Sequence, residues 1–120
     1  MISIDSANNS RDATLSALAD PTRRRVVELL AGKPMTAGEL HAAFPIAAPA
    51  VSRHLRVLRD AGVITELPVS DRRVRLYTLS PESLGALSAW VDELSRSWQL
   101  QLDSFKDYIA MRSARADRPR

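Results

Sequence analysis

The chain reads as a mainly α domain in the order α-α-α-α-β-β-α, on three observations. Proline and glycine cut its first half into short helical stretches, an extended basic segment follows Gly62, and the last third carries one apolar stripe at helical spacing. A length of 120 residues suits one compact domain, and an apolar share of 45% suffices for a small core.

Arg11 to Ala19 sets Leu15, Leu18 and Ala19 at helical spacing and stops at Asp20-Pro21. Proline disfavours helix in the residue before it and suits the first turn of the next helix, so Asp20 reads as an N-cap. The second helix runs from Pro21 to about Ala31, with Val26, Val27, Leu29 and Leu30 inward and Gly32 as its C′ residue. Thr36 followed by Glu39 is a capping-box pattern that opens a third, short helix, Thr36 to Phe44, closed by Pro45. The fourth helix spans about Ala48 to Ala61, with Gly62 as its stop. At about 100° per residue Val51, Leu55 and Leu58 share one stripe, and Pro49, Ser52, Arg53 and Arg56 lie opposite.

After Gly62 the pattern turns extended: Val63 to Val69, a tip at Ser70-Asp71-Arg72-Arg73, then Val74 to Leu79. This predicts a hairpin with a basic tip whose first strand, carrying Pro68, lies at an edge. The tip lacks the glycine or asparagine that tight hairpin turns prefer. Ser80-Pro81 opens the last helix, where Leu84, Leu87, Val91, Leu94, Trp98, Leu102, Phe105 and Ile109 recur at spacings of three and four, flanked by Trp90 and Tyr108. About thirty residues of helix span ~45 Å, more than the ~26 Å width of a domain this size. One copy cannot cover that seam, and an isologous dimer through the last and first helices can. The expected organisation is a flexible N-terminus over 1–10, a domain over 11–111 with dimerisation helices at 11–19 and 81–111, and a basic flexible tail over 112–120.

Composition removes several functions. Without cysteine there is no disulfide, thiolate metal site or cysteine nucleophile, which fits a reducing cytoplasm. No apolar run is long enough to span a membrane, and the N-terminus lacks a basic start and an apolar h-region. Two histidines, no glycine-rich phosphate loop and no nucleophile elbow leave no catalytic constellation, so no enzyme is expected. Charge is segregated: residues 47 to 79 hold six arginines against three acids, and residues 81 to 111 five acids against two bases. A basic centre suits a polyanion.

Helix, short helix, tight link, helix with a basic outer face, then a basic hairpin: this is the layout of a winged helix-turn-helix. A helix fits the major groove, and the arginines of the hairpin can follow the backbone or enter the adjacent minor groove. The candidate DNA-contacting residues are Thr36, Pro49, Ser52, Arg53, His54, Arg56, Arg72 and Arg73. His54 lies beside the core stripe and equally suits a half-buried histidine bonded to backbone. Arg23, Arg24 and Arg25 begin a helix, where the dipole disfavours cations, which leaves phosphate contact or pairing with acids of the last helix. The candidate dimer interface is Leu15, Leu18, Leu87, Val91, Leu94, Trp98, Leu102 and Phe105, and a small-molecule effector could sit in its seam.

Three segments, Leu18-Ala19-Asp20-Pro21-Thr22-Arg23-Arg24, Pro49 to Ile64 (PAVSRHLRVLRDAGVI) and Arg72-Arg73-Val74-Arg75-Leu76-Tyr77, resemble the ArsR/SmtB family of repressors over roughly residues 12 to 109. Within it the chain is similar to the metal-independent, SdpR-type autorepressors. The resemblance implies a cytoplasmic, nucleoid-associated homodimer that binds an inverted repeat in double-stranded DNA and represses transcription, often of its own operon. The thiolate site of arsenic sensors is absent, since Glu39-Leu40 is followed by His41, Ala42 and Ala43. The zinc site of SmtB-type sensors is absent too, since residues 81 to 111 contain no histidine. No cofactor or metal is therefore expected, and His41 lacks evident partners as a ligand. Many relatives place Ser-Gln before the proline of the fourth helix, where this chain has Ala47-Ala48, losing a side-chain cap and an amide. The alternative use of this layout is a dimeric adaptor that binds protein and reads no DNA sequence.

Overall fold

The computed structural model describes the backbone of residues 4–116 and the side chains of residues 9–116. Its elements are α1 (Ile4–Ala17), α2 (Pro21–Gly32), β1 (Met35–Thr36), α3 (Ala37–Ala42), α4 (Ala48–Asp60), β2 (Ile64–Leu67), β3 (Leu76–Leu79) and α5 (Pro81–Ala116). This is a winged helix-turn-helix: α3 and α4 form the turn motif, and β2 and β3 form the wing. Two compact units divide the chain, one up to Leu87 and one from Ser88 onward, where a single unit was expected.

The first unit holds the core. Val26 and Leu30 of α2, Leu40 of α3, and Val51, Leu55 and Leu58 of α4 are buried together with Met35, Val63, Ile64 and Tyr77. The α4 stripe is therefore inward, as its periodicity predicts. On α1 the inward face consists of Thr14 and Ala17, while Leu15 is exposed and Leu18 is half-buried against the core. The Thr14 hydroxyl is satisfied within the helix, donating to the Ser10 carbonyl at 3.0 Å.

The starts of α2 at Asp20 and of α3 at Thr36 follow from local chemistry. Its carboxylate accepts from the Arg23 N–H at 3.0 Å and caps α2, with Pro21 at the first position. Thr36 and Glu39 complete the reciprocal capping box of α3, each bond measuring 3.1 Å. Both carboxyls are held below their ordinary values, Asp20 chiefly by the Arg23 N–H and Glu39 chiefly by the Thr36 N–H. The short strand β1 was not expected, because two residues show no periodicity. It pairs antiparallel with β3, Met35 opposite Tyr77 and Thr36 opposite Leu76, and gives the sheet the order β1-β3-β2.

Several boundaries differ from the sequence reading. Gly32 lies inside α2 and not beyond it, and the helix ends at Lys33 in extended conformation, the form that Pro34 requires of its predecessor. Gly62 does take the left-handed conformation, φ +78°, as the stop after α4. Residues 4–10, expected to be flexible, belong to α1, and residues 112–116 of the expected tail continue α5. Neither stretch contains glycine or proline to stop a helix. The rest of the two expected tails, 1–3 and 117–120, lies outside the described residues. The wing strands are four residues each, β2 ending where Pro68 withdraws a ladder donor, and β2 is indeed an edge.

The second unit is α5 from Ser88 onward. No residue of α5 is buried. Val91, Leu94, Trp98 and Phe105 of the apolar stripe are 46%, 50%, 65% and 59% exposed. No helix among the described residues is long and apolar enough to cross a membrane.

Candidate nucleic-acid interface

α4 is built to present its polar side outward. Ala47 makes no side-chain cap, but Pro49 within the first turn presets the backbone, and the Ala50 and Val51 N–H groups donate to the Ala47 carbonyl. With Val51, Leu55 and Leu58 fixed in the core, Pro49, Ser52, Arg53 and Arg56 are necessarily exposed. Among the described residues, Arg53 and Arg56 make no ion pair or hydrogen bond. Five donors on each guanidinium therefore face solvent.

The wing tip forms without glycine because Asp71 supplies the turn. Its carboxylate accepts from the Arg73 N–H at 3.0 Å, and its carbonyl accepts from the Val74 N–H at 3.1 Å. Asp71 also pairs with the Arg73 side chain at 3.4 Å, leaving Arg72 unpaired among the described residues. The Ala37 N–H donates to the Arg75 carbonyl at 3.0 Å and ties the wing base to α3.

Other candidate residues lie elsewhere. Thr36 is half-buried and its hydroxyl accepts from the Glu39 N–H as the α3 cap. His54 is half-buried, with Nδ1 3.4 Å from the Arg23 guanidinium and 3.9 Å from the Asp20 carboxylate. It thus faces the start of α2 and not the Ser52 side of α4, and its partners are side chains where backbone was expected. The arginines of α2 find partners other than the acids of the last helix. Arg23 donates to the Ala17 and Ser16 carbonyls and Arg24 to those of Leu18 and Ala19, so both close the C-terminal end of α1, where cations are favoured. Arg25 pairs with Glu28 at 3.1 Å.

A cleft of about 290 Å³ opens beside α4, lined by Ala37, His41, Ser52, Leu55, Arg56, Arg59, Arg75 and Tyr77. His41 Nε2 lies 3.2 Å from the Ser52 hydroxyl across it. Arg59, Arg75 and His41 were not among the expected site residues. Arg59 was legible in principle, since Ser52, Arg56 and Arg59 stand at i, i+4 and i+7 on one face, whereas Arg75 depends on how the strand returns. No group of three or more His, Asp or Glu that could hold a metal occurs among the described residues.

A helix-turn-helix with unpaired arginine on the outer face of its second helix and at its wing tip defines a DNA-binding transcriptional regulator. Residues 18–66 match the family model for a helix-turn-helix domain. The chain is 41% identical over 104 residues to the HTH-type transcriptional regulator Rv2034 of Mycobacterium tuberculosis, covering 87% of this chain and 92% of that protein. It is 46% identical over 50 residues to the transcriptional repressor SdpR of Bacillus subtilis, 42% of this chain and 56% of that one. The crystal structure of the ArsR family transcriptional regulator RHA00566 superposes with a TM-score of 0.67 at 33% identity, covering 75% of this chain and 97% of that one. The chain belongs to the ArsR family of winged-helix transcriptional regulators.

Proposed function

We propose that the protein is a cytoplasmic homodimeric repressor that binds an inverted-repeat operator, that of its own operon included. The observation that carries this reading is the outer face of α4, where Ser52, Arg53 and Arg56 stand exposed with no competing ion pair among the described residues. In the major groove, Arg53 and Arg56 can each bond a guanine bidentately and Ser52 can bond either base of a pair. Arg72 and Arg73 at the wing tip reach the flanking backbone or minor groove. Pro49 sits at the groove entrance, Thr36 holds α3, and His54 supports α4 from behind through Arg23 and Asp20.

Dimerisation rests on α5. Exposed Val91, Leu94, Trp98 and Phe105, with half-buried Leu102 among them and half-buried Leu87 one turn before Val91, form an apolar stripe of α5 that a second copy would cover. Leu15 of α1 and Leu18 just after its end are the first unit's own proposed contacts with the second copy. Two copies then present two α4 helices to half-sites one helical turn apart. Repression as the direction of control is supported by the likeness to the repressor SdpR.

Fluorescence anisotropy with a duplex from the protein's own promoter tests the reading. Tight, salt-sensitive binding that exceeds binding to random duplex is expected. Equal affinity for both duplexes would favour the protein-binding adaptor.

A further inference from the structure

We propose that the cleft between α3, α4 and β3 seats one phosphate of the DNA backbone, held by Arg59 and Arg75 beside the base-reading face of α4. The assignment rests on the DNA-binding reading above. Three arginines, Arg56, Arg59 and Arg75, line one concave space. Among the described residues the acid paired with them is Glu66 of β2, whose Oε1 lies 2.8 Å from Arg59 and 3.9 Å from Arg75. The cleft therefore keeps an excess of about two positive charges over its one carboxylate.

Fold stability does not account for this arrangement. Half-exposed surface ion pairs contribute about 0–1 kcal/mol each, and one carboxylate facing two arginines leaves the third without a counter-charge. What the geometry supplies is donors. The Arg75 contact is too long for a hydrogen bond, so its guanidinium donors remain available, and Arg56 makes no bond among the described residues. The Ser52 hydroxyl and His41 ring add two polar groups at the rim, and the buried Leu55 and Tyr77 limit water on the inner wall. The planar guanidiniums of Arg59, bonded to Glu66 at 2.8 Å, and of the unbonded Arg75 suit the oxygens of a tetrahedral anion.

The anion is a backbone phosphate because of where the cleft opens. Ser52, Arg56 and Arg59 continue one stripe of α4, from the residues that face base edges into the cleft. Arg75 enters from the base of the wing. A strand held between α4 and the wing delivers its phosphate already positioned, whereas a free ion would lose its own hydration and mobility to bind the same donors.

The test uses the full-length protein and two duplexes of about three helical turns, one from its own promoter and one of shuffled sequence. Arg75→Ala should lose about tenfold in affinity on both and flatten the slope of log K against log salt by ~0.9, and Arg75→Lys should restore most of the slope. Arg53→Ala, by contrast, should lose affinity mainly on the promoter duplex. Circular dichroism checks that each variant folds; should Arg75→Ala not fold, Arg59→Ala carries the same expectation. Wild-type binding together with unchanged slope and affinity for the arginine variant would overturn the cleft assignment alone. Absence of wild-type binding to either duplex would overturn the functional reading with it. Inorganic phosphate at matched ionic strength, followed by NMR at Tyr77 and Ser52, separates the sources. Binding that promoter DNA fails to displace would mark a free-anion site and overturn the proposal.

Discussion

Trp98 offers a quantitative test of the apolar face on α5. It is 65% exposed in the protomer, so it contributes little to the fold of its own chain. A tryptophan has about 150–250 Å² to bury, and covering the exposed part removes about 100–160 Å² from water. At ~25 cal/mol per Å² that is worth ~2.5–4 kcal/mol per copy. A two-fold interface counts the side chain twice, and even half-effective burial leaves ~3 kcal/mol, about a hundredfold in the dimerisation constant. Trp98→Ala should therefore sediment as the 13.3 kDa monomer at concentrations where the wild type is a dimer, while keeping its helical circular dichroism. A variant that dimerises as tightly as the wild type, or a wild type that is itself monomeric, would refute the argument.

Arg53→Ala or Arg56→Ala should cost about 1–3 kcal/mol in operator binding and relax specificity, read by anisotropy against single-base variants of the site; unchanged discrimination would remove these residues from base readout. Gly62→Ala forces a Cβ into the left-handed region and sets it 3.4 Å from the Ser83 hydroxyl, so a loss of ~1–2 kcal/mol is expected in urea denaturation. Asp20 and Glu39 carry lowered pKa values, so their caps contribute fully above the ordinary values of 3.8 and 4.5 and fade as pH falls through the lower folded values. Thermal stability should drop in that acid range, and less so in Asp20→Asn, which keeps a cap but does not titrate; an identical acid profile for wild type and variant would contradict the assignment.

The helices and the wing were legible because each is set by local chemistry. Asp20-Pro21, Thr36 with Glu39, and Gly62 mark ends through caps and allowed dihedrals, and the Val51, Leu55, Leu58 stripe orients α4 before any tertiary contact is known. The exposed set Pro49, Ser52, Arg53 and Arg56 follows from that orientation alone. What escaped depends on chain segments meeting in space. Arg23 and Arg24 look like surface cations in sequence, and only the turn of the chain at Asp20 brings to them the carbonyls at and just past the end of α1. Nothing in the local sequence places His54 against Arg23, or Arg75 over the side of α4. β1 is the same case, because its two residues become a strand only when β3 arrives beside them.

Hydroxyl-radical footprinting on the protein's own promoter bears most directly on the central idea, a pair of α4 helices reading one duplex. It should reveal two protected patches on one face of the DNA, about 10–10.5 base pairs apart and related by an approximate inverted repeat. A single patch, or protection spread evenly along the promoter, would contradict it.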